Sequence, residues 1–316
     1  MAKRKNPANK RQPKKNIWIE RTMLWSGLDR PAVEAMLNTP RTQSLRQNTL
    51  RSTQELPYTK ISWAKDGYEL SASQLVAVRD SAAVADGEVY IQNAASWLPV
   101  YALDPKPDEN ILDVCAAPGG KSSHIQALAS NQARLVCNDN SKPRLIKLRA
   151  NMERLGAQAE YTLIDASRIS RALQPGSFDK ILLDAPCSGE GLMTLASDKL
   201  FDSWSVAHIR RLSALQRKIL TESWRLLRPG GNLVYSTCTM APEENESVID
   251  YFLRKHPDAK LQALDFDLDN RVPALASWND REYTQDLSLC LRLNPSRLVE
   301  AFFVAKLQKT DTPQGF

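Results

Sequence analysis

No segment of the 316-residue chain approaches the roughly 20 consecutive apolar residues that span a bilayer. Nor does an apolar stretch follow the basic N-terminus, as it would in a secretory leader. The expectation is a protein of the cytoplasm or a comparable reducing compartment, with no membrane partner. Cysteine is sparse: five residues, at 115, 137, 187, 238 and 290, no two within 20 positions of each other. An odd count at that spacing argues against a disulfide framework, and the close CxxC or HxxxH pairs of a zinc centre are missing, so no metal is expected. The thiols are free, serving either as core filler or as chemistry. Internal repeats, a P-loop and a GxGxxG turn are also absent, which disfavours phosphate-loop and dinucleotide readings.

Acidic residues are missing from the start of the chain, the first being Glu20. Before it lie Lys3, Arg4, Lys5, Lys10, Arg11, Lys14 and Lys15, which leaves 35 basic against 36 acidic residues in the remainder. The net charge of +6 therefore resides in residues 1–16, a stretch rich in Asn, Pro and Gln. Its composition predicts a disordered basic tail, because it offers too little apolar surface to fold. Such a polycation is either a solubilising terminus or an attractor of phosphate backbones, which it would hold without reading sequence.

Beyond the tail the composition is that of a globular protein, 42% hydrophobic and 25% charged. Residues 17–96 read as a small α+β domain, with a helical stretch at Pro31–Leu37 and strand-like pieces at Ser44–Leu50 and Lys60–Trp63. From Asn110 the pattern sharpens. Asn110–Cys115, Arg134–Cys137, Tyr161–Ile164, Phe178–Leu183 and Leu233–Thr237 read as strands. Lys121–Ala129, Pro143–Leu155, Val206–Leu227 and Glu243–Lys255 read as helices between or after them, with Gly156 as a helix stop and Arg228–Gly231 closing the longest. Cys290–Leu293 and Ala301–Leu307 look like a final hairpin. Alternating strands and helices predict an α/β, Rossmann-like, mostly parallel sheet with helices on both faces, and the closing hairpin predicts an antiparallel C-terminal edge strand. This second domain is expected to cover 97–310, leaving 311–316 as a short tail.

In such sheets ligands bind where strands end. Here those ends carry Asp113, Asp139, Asp165, Asp184 and Cys238. A lone strand-end aspartate is more often a cap or turn former, but several on consecutive strands are harder to dismiss. The turn Asp113-Val-Cys-Ala-Ala-Pro-Gly-Gly-Lys121 lets a ligand approach the backbone at a helix N-terminus, which favours an anionic group such as a carboxylate. Asp139, 26 residues beyond Asp113, stands near the offset at which an acid meets a ribose diol. Asp165 is placed to accept a hydrogen bond from an adenine amino group. Asp184-Ala-Pro-Cys187 and Ser236-Thr-Cys238 end neighbouring strands, which predicts two thiols around one pocket. Buried cysteine is ordinarily inert packing; a pair at consecutive strand mouths beside a carboxylate is not.

The motifs DVCAAPGGK, DAPCSG and STCT resemble those of the Nol/Nop/Sun (RsmB/NOP-type) family of S-adenosylmethionine-dependent RNA cytosine-5 methyltransferases. The resemblance runs from about Pro40 to Leu307. It includes PRTQSLRQNTL at 40–50, similar to the family's N-terminal RNA-contacting segment, and IQNAASW at 91–97, similar to the entry to its catalytic core. It implies a class I methyltransferase fold, S-adenosylmethionine as cofactor, and ribosomal or transfer RNA as partner. It also implies a cofactor site made by Cys115, Ala116, Ala117, Pro118, Gly119, Gly120, Lys121, Asp139, Arg144, Asp165 and Asp184. Cys238 falls on the family's nucleophile, Cys187 on the thiol needed to release product, with Asp184 and Lys121 as further catalytic groups. Departures occur near the C-terminus. Arg292-Leu-Asn-Pro295 is not followed by the usual histidine, and Ala301 stands where a glycine usually precedes the Phe pair. The chain is expected to lack the additional C-terminal RNA-binding domain that some members carry, and to act as a monomer.

The implied chemistry is coherent. Carbon 5 of cytosine is a poor nucleophile until a thiolate adds at carbon 6 and makes it enamine-like. The site must favour the thiolate, and Lys121 is one candidate cation. Asp184, protonated or sharing a proton with the base, would support ring nitrogen 3. The cytosine must be single-stranded or flipped out. Two rivals remain at this point: a non-catalytic RNA-binding protein on the same fold, and a methyltransferase acting on adenine, protein or a small molecule. The first predicts eroded motifs, and the second needs no nucleophilic thiol.

Overall fold

The computed structural model describes residues 7–311, with side chains from Arg11 onward. In chain order, α1 (Pro7–Ser26) and α2 (Arg30–Leu37) form a helical hairpin, the second capped by Asp29 and started by Pro31. β1 (Gln43–Gln47), β2 (Thr59–Lys60), β3 (Gly67–Leu70), α3 (Ala72–Arg79), α4 (Ala82–Ala85) and β4 (Val89–Ile91) follow. The core then runs α5 (Leu98–Leu103), β5 (Asn110–Asp113), α6 (Gly120–Leu128), β6 (Arg134–Asn138), α7 (Lys142–Arg154), β7 (Glu160–Thr162) and β8 (Phe178–Asp184). After it come α8 (Asp198–Ser203), α9 (Val206–Leu226), β9 (Leu227–Thr237), α10 (Glu246–Lys255) and β10 (Ala259–Gln262). The chain closes with β11 (Arg271–Val272), β12 (Ser277–Trp278), β13 (Arg281–Glu282), β14 (Leu291–Leu293) and β15 (Phe302–Lys309).

The main sheet has the order β11-β14-β15-β9-β8-β5-β6-β7, with β10 also on β15. β5 to β9 are mutually parallel. Its apolar strands are buried on both faces, one against α5, α6 and α7 around Trp97, Ile125 and Leu148, the other against α9 and α10 around Trp224 and Phe252. The strands that enter the site from this layer, β5, β8 and β9, are adjacent and end on the same side. Strand order reverses between β5 and β8, which makes their mouths the crevice where a ligand fits.

The C-terminal strands make an antiparallel edge to the parallel sheet, as expected, with β15 between β9 and β14, and with β14, β11 and β10 beyond it. Three expectations require correction. Arg228–Gly231 does not only close a helix but belongs to β9, where the register with β8 shifts. The Lys60–Trp63 strand reduces to Thr59–Lys60. The tail of 1–16 is in part a helix. Residues 7–16 start α1, and Arg11 pairs with Asp202 at 2.8 Å while Lys15 pairs with Asp198 at 2.8 Å. Lys14 Nζ donates to the Phe201 carbonyl at 2.7 Å. Cations that look surplus in the sequence thus meet the acids and carbonyls of α8. Lys3, Arg4 and Lys5 lie outside the described residues.

The hairpin of α1 and α2 shares its apolar cluster with the main α/β unit, not with the small sheet. Trp18, Ile19, Val33 and Leu37 share one apolar cluster with Met193, Phe201, Trp204 and Met240. What remains of the N-terminal unit is the sheet β2-β3-β1-β4, with its own core of Leu45, Tyr68, Leu70, Val78 and Val89. It is fastened to α6 by a buried polar cluster. Arg46 donates to Ser123 Oγ at 3.0 Å, and Asp66 lies 3.2 Å from His124 and accepts from Tyr101. Burial alone would raise the Asp66 carboxyl, but His124, Arg46 and Tyr101 together hold it at about 2. This fixed seat carries β4 to the mouth of the main sheet.

Candidate active site

At the end of β5 the chain turns through Cys115–Gly119 into α6. Gly119 sits at φ +106°, a left-handed conformation that suits glycine, and an added Cβ would lie 2.9 Å from Leu148 Cδ1. At Gly120 a Cβ would come within 2.8 Å of Tyr90 and 2.9 Å of Gln92. Gly120 lines a cavity of about 220 Å³ at the N-terminus of α6, while Gly119 lets the turn pack on α7. Asp113, Cys115, Ala116, Ala117, Pro118, Gly120, Lys121 and Asp184 line it from the core, and Tyr90, Ile91, Gln92 and Ser96 close it from β4 and the turn that follows. Those last residues were not anticipated individually. Their signal was the IQNAASW segment, which the resemblance marks as the entry to the core.

The cofactor-site aspartates are placed differently from one another. Asp139 is buried, accepts the Ser141 N–H at 2.9 Å through Oδ1, and holds Oδ2 3.3 Å from Arg144 Nη2 without a hydrogen bond. Arg144 also donates to the Ala117 carbonyl at 2.9 Å, tying α7 to the glycine turn. That buried, unpartnered carboxylate oxygen has the chemistry to meet a ribose diol, although neither Asp139 nor Arg144 lines the cavity. Asp165 caps a short 3-10 turn, accepting the Ser167 N–H at 2.9 Å, and does not line the cavity. That hydrogen bond keeps its carboxyl below the usual range. Asp113 accepts from Ser122 Oγ at 2.6 Å, and burial pushes its carboxyl up to about 7. The Cys115 thiol at the cavity wall is likewise pushed up, first by burial and then by the acids around it, which disfavours its thiolate.

Asp184 joins this cavity to the thiols. Its Oδ2 accepts from Lys121 Nζ at 2.8 Å, and its Oδ1 accepts from Ser236 Oγ at 2.8 Å. Burial works to lower the Lys121 pKa, but the charge and hydrogen bond of Asp184 outweigh it and hold the ammonium above its ordinary value. One turn past Asp184 and two residues past Ser236, Cys187 and Cys238 bring their sulfurs to 3.4 Å. Both are half-buried, whereas Cys137 and Cys290 are fully enclosed. The Cys187 thiol is pushed well up, by its hydrogen bond to Cys238 first and by burial second. Among the described residues no cluster of His, Cys, Asp and Glu could hold a metal ion, and no helix is long and apolar enough to cross a membrane.

Residues 100–308 match the model of the 16S rRNA methyltransferase RsmB/F family. The chain belongs to that family. It is 34% identical over 292 residues to the tRNA (cytosine(49)-C(5))-methyltransferase of Pyrococcus abyssi (strain GE5 / Orsay), covering 87% of this chain and 90% of that protein. To the ribosomal RNA small subunit methyltransferase F of Cronobacter sakazakii (strain ATCC BAA-894) it is 34% identical, over 94% of this chain and 63% of the relative. The chain thus spans less than two thirds of that second protein. A solved structure of a methyltransferase homolog protein from Pyrococcus horikoshii superposes with a TM-score of 0.79 at 30% identity, covering 95% of this chain and 98% of that one.

Proposed function

We propose that this chain, an RNA cytosine-5 methyltransferase by family, methylates carbon 5 of an unstacked cytosine in ribosomal or transfer RNA through a covalent bond to Cys238. The observation that carries the reading is the thiol pair at 3.4 Å, one residue pair away from a carboxylate that also lines the cavity at the glycine turn. A methyltransferase of amino groups has no use for that pair, and a non-catalytic RNA binder has no use for it or for the open turn.

S-adenosylmethionine, when bound, supplies an electrophilic methyl group to carbon 5. The cavity suits its methionine part, with the N-terminus of α6 facing the carboxylate, and Asp139, buried beyond the cavity lining, would take the ribose. Cys238, as a thiolate, adds to carbon 6, and the displaced electron pair moves to ring nitrogen 3. The Lys121–Asp184 pair provides the proton that nitrogen takes up. After carbon 5 is methylated, its proton is removed, the C–H pair becomes the carbon 5–carbon 6 double bond, and the C–S pair returns to sulfur. Cys187 can pass its thiol proton to the departing Cys238 sulfur and take the carbon-5 proton in exchange, which leaves its own protonation unchanged. Nitrogen 3 returns its proton to Lys121–Asp184.

Digestion of the product RNA followed by mass spectrometry tests the reaction: 5-methylcytidine is expected, and N4-methylcytidine or methyladenosine would refute it. Bisulfite sequencing of total RNA with and without the gene identifies the site, where one cytosine should lose its protection.

A further inference from the structure

The turns that carry the two thiols are joined through one buried side chain that lies outside the motifs. Glu244 is fully buried behind them. Its Oε2 accepts the Ser188 N–H at 3.0 Å and Gln216 Nε2 at 2.8 Å, and the same amide nitrogen donates to the Pro186 carbonyl at 2.9 Å. The backbone on both sides of Cys187 is therefore fixed through Glu244, directly at Ser188 and by way of Gln216 at Pro186. On the other turn, Thr239 Oγ1 lies 2.8 Å from Ser188 Oγ and 3.5 Å from Glu244 Oε1, beside Cys238. Gly191 N–H donates to the Cys238 carbonyl at 2.9 Å, and a Cβ on Gly191 would collide with the Ala301 and Cys238 carbonyls, so the two turns are also in backbone contact.

We propose that Glu244 is the positioning residue that holds Cys187 against the Cys238 sulfur, and that product release depends on it more than adduct formation does. The inference rests on the proposed division of labour between the thiols. Cys238 leaves β9 directly, one residue after Thr237, whose pairing with Phe303 fixes it independently of Glu244. Cys187 has no such strand under it. Its turn follows Ala185, which pairs with Ser236, and then relies on the Glu244 and Gln216 contacts. Loss of the Glu244 carboxylate therefore frees the releasing thiol while leaving the attacking one in place. A reacting group displaced by about an ångström can lose ~100-fold in rate.

The test compares two RNA probes on denaturing gels, using the full chain and in vitro transcripts of small-subunit rRNA and tRNA. Transcripts carrying 5-fluorocytidine report adduct formation alone, because fluorine on carbon 5 cannot leave as a proton does. Ordinary transcripts show a covalent band only when release fails. Glu244→Ala is expected to give a band on ordinary RNA about tenfold stronger than the unsubstituted protein, approaching that of Cys187→Ala, with the 5-fluorocytidine band retained. Glu244→Gln, whose amide oxygen can accept the same two hydrogen bonds, should recover most of the turnover. Gln216→Ala, which removes the contact to Pro186 without burying a new charge, should shift the partition in the same direction and serves if Glu244→Ala does not fold. If Cys187→Ala accumulates adduct but neither Glu244→Ala nor Gln216→Ala does, the inference is overturned and the thiol roles stand. Equal loss of both bands in those variants would also overturn it, as would a Glu244→Gln protein no better than Glu244→Ala. If Cys187→Ala itself accumulates nothing on ordinary RNA while 5-fluorocytidine traps every form except Cys238→Ala, the thiol roles fail and the inference falls with them.

Discussion

At Gly120 the cavity wall is backbone, with Tyr90 and Gln92 packed where a side chain would otherwise stand. Beyond Asp184 the thiols sit on two turns joined by side-chain hydrogen bonds from Glu244, Thr239 and Gln216. The first region is shaped by steric exclusion and the second by polar contacts, and Asp184 belongs to both. The difference teaches that the two regions should fail in different ways. Added volume should close the cavity, whereas lost hydrogen bonds should misalign the thiols without closing anything.

The largest effect is expected at Cys238. Cys238→Ala should reduce methylation by a factor on the order of 10⁴ or more, as removal of a covalent nucleophile does, while binding of S-adenosylmethionine measured by calorimetry stays within a few-fold. Asp184→Asn comes next, because it unpairs Lys121 and removes the charge shared by the two regions. A loss of about 10²-fold in single-turnover rate is expected, and an unchanged rate would detach Asp184 from the chemistry. Gly120→Ala should then weaken cofactor binding by about 10-fold or more, since overpacking costs roughly 1–3 kcal/mol. Gly176→Ala is the control: its φ of +67° strains any side chain, but nothing lies within 4 Å of the added carbon, so cofactor binding should not change.

The smallest effect is on stability and pH. Burial raises the carboxyls of Asp113, Glu244 and Glu300 to about 7 each. Each binds a proton more tightly folded than unfolded, so its stabilising effect is complete below the unfolded pKa near 4 and lost as pH rises through about 7. The melting temperature should therefore be higher at pH 6 than at pH 8. Asp113→Asn should flatten part of that slope on the cofactor side, and Glu244→Gln part of it on the thiol side. His124 and His256, whose pKa burial lowers, act in the opposite direction at the acid end, so the decisive reading is the change of slope in each variant, and an unchanged slope would contradict the burial of that acid.

Much of the cavity at the glycine turn was legible in the chain because its determinants are local. A short apolar strand, a glycine turn and a helix start identify the end of β5, and the same periodic logic located β6 to β8 and the C-terminal part of β9. The thiol region was legible only in part. Cys187 and Cys238 announce themselves at strand ends, but Glu244 and Gln216 act through contacts 56 and 30 residues away in sequence, with no spacing to reveal them. The same reason hid the docking of α1: Arg11 and Lys15 find Asp202 and Asp198 across 191 and 183 residues, so a basic run reads as a tail until its partners are seen. Tyr90 and Gln92 reach the cavity only because the Arg46–Asp66–His124 cluster seats the small sheet on α6. The inner position of β15 depends on which side of β9 it joins, a choice its apolar pattern does not encode.

The most direct test of the central claim is peptide mapping by mass spectrometry of the adduct formed with 5-fluorocytidine RNA in the presence of S-adenosylmethionine. The methylated fluoropyrimidine should be found on the peptide containing Cys238, bound through carbon 6. Attachment at Cys187, or no attachment although the RNA is methylated, would contradict the account.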